Sequence, residues 1–191
     1  FYPFKKINFK DYGIVNKKII LGVGRLTVQK NFSYLINEFS KFLKIKDQYV
    51  LVILGKGEEK NNLIKLIKKK NLSNSVYLLG NVKNVYDFMR SSDVFVLSSL
   101  WEELGFVIAE AAFNNLFIIS SDCPNGPKEF LNYGKNGIIY NTNKENSLLN
   151  ALVNFSDLKN HKEKIINAKK NCSKYTKFNH HKSLIKIILN K

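Results

Sequence analysis

Short apolar runs alternate with helix-spaced apolar positions along this chain, and this alternation predicts its fold class. Six runs are short and almost continuously apolar, as strands buried on both faces of a sheet are. They cover residues 18–23, 49–54, 75–79, 94–97, 116–120 and 137–140. Helical spacing is predicted from 32 onwards, over 58–69, 85–89, the stretch after 105, 127–131, 144–155, 161–172 and 179–189. Strands that alternate with helices indicate an α/β domain: a doubly wound, Rossmann-like parallel sheet of about six strands with helices on both faces.

The chain is predicted to form a single domain over residues 1–191. Its 191 residues are 45% hydrophobic, which suffices for one core. Residues 1–16 are expected to be a linker that leads into the first strand, and 179–191 a C-terminal helix. Because the chain begins at Phe1, we expect it to be a fragment of a longer protein.

The stretch from the fourth strand to the following helix is the first candidate for chemistry. An apolar strand ends in small polar residues, an acidic loop follows, and a helix is predicted to start at Gly105. Phe106, Ile108, Ala109 and Ala112 are expected to line its buried face. The free amides and the positive dipole end of such a helix favour an anion.

Two carboxylates, Glu102 and Glu110, flank this helix start. On one helix they would lie about 12 Å apart along its axis, at ~1.5 Å per residue. That exceeds the about 5–9.5 Å of a glycosidase carboxylate pair. We therefore expect them to contact different parts of one elongated ligand, with the amides of Gly105, Phe106 and Val107 at its anionic centre. A nucleotide-sugar has this shape.

A second pair of candidates, Arg25 and Lys30, lies in the loop after the first strand. Carboxyl ends of parallel strands share one edge of the sheet, where such folds bind their ligands. A guanidinium fork and an ammonium there would neutralise a diphosphate without a metal.

The amino-acid composition limits which classes of binding partner are expected. The formal net charge is +16, and Arg25 and Arg90 are the only arginines. A protein that recognises nucleic acid would be expected to use more arginine, so nucleic acid is not the expected partner. Attraction to anionic lipid headgroups stays open. Cys123 and Cys172 form neither a metal-ligand spacing nor a disulfide framework, which indicates a reducing, cytoplasmic setting.

Four motifs in this order resemble the C-terminal, donor-binding domain of family 4 retaining glycosyltransferases, which have the two-domain GT-B fold. The resemblance covers essentially the whole chain. The motifs are Gly24-Arg25-Leu26-x-x-x-Lys30, Gly80-Asn81, Glu102-x7-Glu110 and Ser121-Asp122-Cys123-Pro124-x-Gly126-Pro127-x-Glu129.

The resemblance implies a role for each motif residue. Arg25 and Lys30 would bind the donor diphosphate beside Gly24, Glu110 the ribose hydroxyls, and Glu102 the transferred sugar. The Gly105–Val107 backbone would lie near the phosphates, and Asn81 and Val82 near the base. The donor would be a nucleotide-sugar with a hexosyl or N-acetylhexosaminyl group, with a UDP-sugar expected ahead of a GDP- or an ADP-sugar. The acceptor would be a glycan or a lipid-linked acceptor. No metal and no covalent side-chain nucleophile would be needed.

The chain departs from the family pattern at three places. Where the family often has Glu-Gly-Phe-Gly, this chain has Glu102-Glu103-Leu104-Gly105, so Glu103 competes with Glu102 as the sugar-facing carboxylate. Asn114-Asn115 replaces a common glycine. The family's N-terminal acceptor domain is absent from this sequence.

Two other functions remain as alternatives. One is a GT-B-type epimerase that acts on a nucleotide-sugar without an acceptor. The other is a lysine-rich module that binds nucleic acid or a membrane.

Overall fold

The computed structural model describes residues 5–102 and 105–172. Six parallel strands form one sheet in the order β3-β2-β1-β4-β5-β6. The strands are β1 Lys18–Val23, β2 Tyr49–Leu54, β3 Val76–Gly80, β4 Val94–Leu97, β5 Phe117–Ser121 and β6 Ile138–Tyr140. The predicted doubly wound, Rossmann-like sheet is confirmed.

Helices connect the strands as predicted. They are α1 Phe32–Leu43, α2 Lys60–Lys69, α3 Val85–Arg90, α4 Phe106–Phe113, α5 Pro127–Phe130, α6 Ser147–Asp157 and α7 Lys162–Cys172. Helix α6 begins at Ser147 instead of 144 because Asn146 has a left-handed backbone (φ 54°) that an α-helix cannot include. The helix predicted over 179–189 lies outside the described residues.

Both faces of the sheet are buried, which explains why its strands are continuously apolar. Successive side chains of β1 enter opposite cores: Ile20 faces one cluster, and Ile19 and Leu21 face the other. The first cluster includes apolar side chains of α1, α2 and α6, and the second those of α3, α4 and α7.

Residues 5–16, expected to be a linker, lie along α3. The amides of Lys5 and Ile7 donate hydrogen bonds to Asp87 Oδ1 (3.3 Å) and Ser91 Oγ (3.0 Å). Ile14 is buried in the second cluster. This segment therefore contributes to the core before β1 begins.

The strand order reverses beside β1, which pairs with β2 on one side and β4 on the other. In doubly wound sheets the ligand crevice opens at this reversal, beyond the carboxyl ends of the strands. The loops after β1 and β4 border this crevice, and these loops carry Arg25, Lys30 and Glu102.

The loops after β1 and β2 touch through their backbones. Leu26 N–H donates to the Lys56 carbonyl (2.8 Å), and Glu59 N–H donates to the Leu26 carbonyl (2.9 Å). A Cβ atom at Gly55 would lie 1.8 Å from the Gly24 carbonyl oxygen, and the φ of Gly55 is 145°. Only glycine fits this contact, which sets the distance between the two loops.

We predict that Gly55→Ala destabilises the protein far more than Gly80→Ala. Both glycines have positive φ, which costs alanine about 1–2 kcal/mol. At Gly80 no atom lies within 4 Å of the added Cβ, whereas at Gly55 the Gly24 backbone must move. Urea unfolding should show a loss of about 3 kcal/mol or more for Gly55→Ala. Equal losses in the two variants would contradict the close contact.

His161 packs between two aromatic rings of the core. Its ring centroid lies 5.0 Å from that of Phe117 and 4.7 Å from that of Phe155. Its buried Nδ1 has no hydrogen-bond partner among the described residues. Burial, and then the charge of Lys18, lower the pKa of His161 from its ordinary 6.5. The folded protein thus favours the neutral imidazole.

We predict that this histidine makes stability fall in mild acid. Below pH 6.5 the unfolded chain takes up a proton that the folded chain resists, so stability falls until the lowered folded-state pKa is reached. His161→Phe should remove this contribution. The melting temperature should therefore fall less between pH 7.5 and pH 5.5 in the variant than in the unaltered protein. The same fall in both proteins would show that His161 is not the group responsible.

Candidate active site

A buried ion pair joins the loops after β1 and β4. Lys30 ends a 3-10 turn, Val28–Lys30, and its Nζ lies 2.6 Å from Oε1 of Glu102. The two side chains are only 14% and 6% exposed. The Ser99 hydroxyl donates to the same Glu102 oxygen. Glu102 is therefore a buried carboxylate with two polar contacts, one from Lys30 and one from Ser99, and it is not a solvated loop acid.

Hydrogen bonds from three loops hold this pair in place. The Ser98 hydroxyl donates to the Lys30 carbonyl (2.7 Å), and the Leu100 amide to the Gln29 carbonyl (2.8 Å). At the end of β5, the Ser121 hydroxyl donates to the Ser99 carbonyl (2.7 Å). The position of Glu102 is thus fixed by the ends of three adjacent strands.

Gly24 lies directly under the lysine side chain. A Cβ atom there would lie 3.2 Å from Cδ and Cε of Lys30. The absence of a side chain at Gly24 lets the lysine run close to the β1 loop and reach Glu102.

A cavity of about 480 Å³ opens at the ends of β1, β2 and β3. It brings together four residues that the motifs place at the donor, namely Gly24, Arg25, Asn81 and Val82. Its other lining residues are Val23, Leu54, Gly55, Lys56 and Val85. Lys56 and Val85 were not among the candidate site residues predicted from the sequence. Lys56 follows β2 between two glycines at the same edge of the sheet, a position that could have revealed it.

Helix α4 begins at the crevice and carries Glu110 in its second turn. Gly105 caps it with a left-handed backbone (φ 56°), and the Gly105 carbonyl accepts from the Ile108 amide (2.9 Å). The amides of Phe106 and Val107 are in the first turn, where intrahelical partners are absent. The helix thus starts where the sequence predicted, and anion binding at these amides stays a prediction.

The prediction that Phe106 lines the buried face of α4 is wrong. Phe106 is 59% exposed, whereas Ile108 and Ala112 are buried. Positions 106, 110 and 113 share one side of the helix. That side carries Phe113, 58% exposed, as well as Glu110, so it is the outer face.

Glu110 is half-buried and bonded to helix α3. The Tyr86 hydroxyl donates to its Oε1 across 3.3 Å. Burial raises the pKa of Glu110, and the hydrogen bond from Tyr86 acts in the opposite direction.

Other candidates have structural partners or lie outside the described residues. Asp122 accepts hydrogen bonds from the amide and the hydroxyl of Thr142 (both 3.0 Å) and so closes a turn. Cys123 is buried. Glu103 lies outside the described residues, so the preference for Glu102 as the sugar-facing carboxylate stays a prediction.

Within residues 5–102 and 105–172, no group of three or more histidine, cysteine, aspartate and glutamate side chains could hold a metal ion. None of the helices in these ranges is both long and apolar enough to cross a membrane.

Comparison with known proteins assigns this fold to a family of glycosyltransferases. Residues 4–172 match the family model described as Glycosyl transferases group 1, and the chain belongs to this family. The predicted family resemblance is confirmed.

Individual relatives agree with this assignment. The chain is 47% identical over 113 residues to an uncharacterized glycosyltransferase of Methanocaldococcus jannaschii, a match that covers 59% of this chain and 28% of that protein. It is 34% identical over 162 residues to the Escherichia coli UDP-Gal:alpha-D-GlcNAc-diphosphoundecaprenol alpha-1,3-galactosyltransferase, covering 82% of this chain and 40% of that protein. This chain therefore spans less than half the length of these relatives.

A solved structure shares the fold. The crystal structure of Anabaena Alr3699/HepE in complex with UDP matches with a TM-score of 0.77 at 21% identity. The match covers 87% of this chain and 46% of that one.

We predict strong energetic coupling between Lys30 and Glu102. Lys30→Met leaves a buried carboxylate without its cation, which should cost about 3 kcal/mol of unfolding free energy. The double variant Lys30→Met/Glu102→Gln should lose less than the sum of the single variants, with a coupling of about 1–3 kcal/mol in a urea-unfolding cycle.

The control cycle uses Lys46 and Asp157, an ion pair of similar length (2.8 Å) whose side chains are 30% and 57% exposed. Its coupling should be below about 1 kcal/mol because solvent screens exposed pairs. Equal coupling in the two cycles would contradict the structural role of the buried pair.

Proposed function

We propose that this chain is the nucleotide-sugar-binding part of a retaining glycosyltransferase, with a UDP-sugar as donor. The observation that carries this is the buried Lys30–Glu102 ion pair, which joins the loop that also carries Arg25 to the loop after β4 at the reversal of strand order. Two similar proteins support uridine as the nucleoside of the donor. The E. coli relative is named as a UDP-Gal transferase, and the Anabaena protein was crystallised in complex with UDP.

The diphosphate lies between the β1 loop and the start of α4. Arg25 provides a guanidinium fork, Lys30 an ammonium that must exchange its contact with Glu102 for the phosphate, and the first amides of α4 provide neutral donors. Together they offset the negative charge that develops on the leaving nucleoside diphosphate, without a metal ion.

The nucleoside extends along the crevice. Glu110 accepts hydrogen bonds from the ribose hydroxyls, as a carboxylate with two acceptor oxygens can do. The base occupies the cavity lined by Asn81 and Val82, where Val23 and Val85 add apolar surface.

The transferred sugar, a hexosyl or N-acetylhexosaminyl group, contacts Glu102. In a front-face reaction the acceptor oxygen bonds to the anomeric carbon as the bond from that carbon to the phosphate oxygen breaks. The acceptor proton moves to the leaving phosphate, so the configuration is retained without a covalent enzyme intermediate.

The acceptor is a glycan or a lipid-linked glycan, held by an N-terminal domain of the complete enzyme. The E. coli relative is named for a lipid-linked acceptor. The net charge of +16 would favour peripheral contact with an anionic inner membrane face. By itself this chain binds the donor without productive turnover, and the complete enzyme builds a glycoconjugate or a surface polysaccharide.

We predict that UDP raises the melting temperature of this chain. At about 100 times its dissociation constant, a ligand stabilises the folded state by about 2.7 kcal/mol, or roughly 5–10 °C for a domain of this size. Arg25→Ala and Glu110→Ala should each reduce the shift, because one removes a phosphate contact and the other a ribose contact. Lys65→Ala, which removes a positive charge from an exposed position on α2, should leave the shift unchanged.

The same thermal-shift panel includes GDP, ADP and a chelator. Addition of EDTA should not alter the UDP shift if the diphosphate is held without a metal. If none of UDP, GDP and ADP changed the melting temperature at millimolar concentration, the proposal would be overturned.

Two further measurements distinguish the alternatives. Salt-sensitive binding to duplex DNA or to anionic vesicles would favour the lysine-rich module. An epimerised sugar formed without acceptor would favour the epimerase.

A further inference from the structure

Helices α3 and α4 are joined side by side by two hydrogen-bonded rungs. In the first, the Tyr86 hydroxyl donates to Glu110 Oε1 (3.3 Å). In the second, Arg90 Nε donates to Asn114 Oδ1 (2.6 Å). Tyr86 and Arg90 are four residues apart on α3, as Glu110 and Asn114 are at the end of α4, so the rungs lie one helical turn apart.

The second rung fixes the backbone that carries Glu110. The Asn114 side chain also donates from Nδ2 to the Glu110 carbonyl (2.8 Å). Arg90 therefore holds Asn114, and Asn114 holds the last turn of α4. The spacing of the two helices is thereby set independently of Tyr86.

The first rung then acts on the Glu110 side chain alone. Among the described residues, Tyr86 is the only hydrogen-bond donor to this carboxylate. One side of Tyr86 faces solvent, since the residue is 48% exposed, and it directly follows Val85 of the cavity lining. A glutamate side chain has three rotatable bonds, so a fixed partner at one oxygen removes much of its freedom.

We propose that Tyr86 is a positioning residue for ribose recognition: its hydroxyl holds one oxygen of Glu110, and the other oxygen accepts the ribose hydroxyls. This inference rests on the proposed function, because it assigns a partner to the carboxylate that binds the ribose. None of the motifs found in the sequence includes Tyr86.

The hydrogen bond has an electrostatic consequence as well. Tyr86 stabilises the charged carboxylate against the burial that raises the pKa of Glu110. Several other ionisable groups on the elements packed against α4 have partners of their own. On α3, Asp87 accepts from the Lys5 amide (3.3 Å) and Arg90 bonds Asn114. On α7, Lys169 bonds Asn115 (2.9 Å) and the Cys172 thiol bonds the Ala109 carbonyl (3.4 Å), and on α5 Lys128 lies 4.0 Å from Asp122.

The test removes the hydroxyl and keeps the ring. In Tyr86→Phe the affinity for UDP, measured by calorimetry on the 191-residue chain at pH 7.5, should fall about three- to tenfold. The dideoxy analogue of UDP, which lacks both ribose hydroxyls, should bind both proteins equally. Tyr77→Phe is the matched control, because its hydroxyl bonds the Asn74 carbonyl (3.0 Å) instead of a site residue.

A second measurement follows Glu110 directly. In Tyr86→Phe the carboxyl resonance of Glu110 should titrate at higher pH, because the charged form has lost its donor. The affinity for UDP should accordingly begin to fall at a higher pH than in the unaltered chain. A merely structural role of Tyr86 would not shift this titration.

The outcomes separate the two proposals. If the unaltered chain binds no UDP, the proposed function fails, and this inference fails with it. If the unaltered chain binds UDP and Tyr86→Phe binds it equally well, only the positioning role is overturned. The same holds if Tyr86→Phe lowers the affinity for UDP and the affinity for its dideoxy analogue by the same factor.

Discussion

The buried contact between Lys30 and Glu102 is the interaction on which the site depends. Lys30 follows β1 and Glu102 follows β4, and these two strands are neighbours only in the folded sheet. The two side chains can therefore meet only when β1 and β4 are correctly paired. Burying two charges is favourable only when they are paired and hydrogen-bonded, and here Ser99 adds a bond to the carboxylate. The site thus depends on the sheet, and removal of either charge affects both.

The same pairing has a consequence for the proposed binding of a nucleotide-sugar. Lys30 is paired with Glu102, whereas Arg25 is exposed and lines the cavity. Under this proposal a diphosphate has to compete with the Glu102 carboxylate for Lys30, and the cost of breaking that ion pair offsets part of the binding free energy. If Lys30 turned towards the phosphates, Glu102 would become free to accept a hydrogen bond from a sugar hydroxyl. Binding of the diphosphate and binding of the sugar would then be coupled through the Lys30 ammonium group.

The sequence predicted the sheet well because its signals are local. The bounds of β1, β2 and β4 agree with the structure, since each run is continuously apolar and ends at polar or glycine residues. The start of α6 was missed because the left-handed backbone of Asn146 cannot be read from apolar spacing. Phe106 was misplaced because periodicity gives the spacing of apolar positions but not which of them faces solvent. The motif residues around the cavity were found, whereas the contacts of Tyr86 and Ser99 to the two glutamates depend on side-chain packing that no pattern encodes.

The two outermost strands of the sheet, β3 and β6, leave hydrogen-bonding groups that could pair with another copy of the chain. Strand β6 has only three residues, and β3 ends at Gly80, so neither edge offers a long template. A net charge of +16 adds mutual repulsion between copies. The abundance of lysine therefore opposes association between copies of the chain along the sheet edges that the described residues leave unpaired, an effect that depends on no ligand.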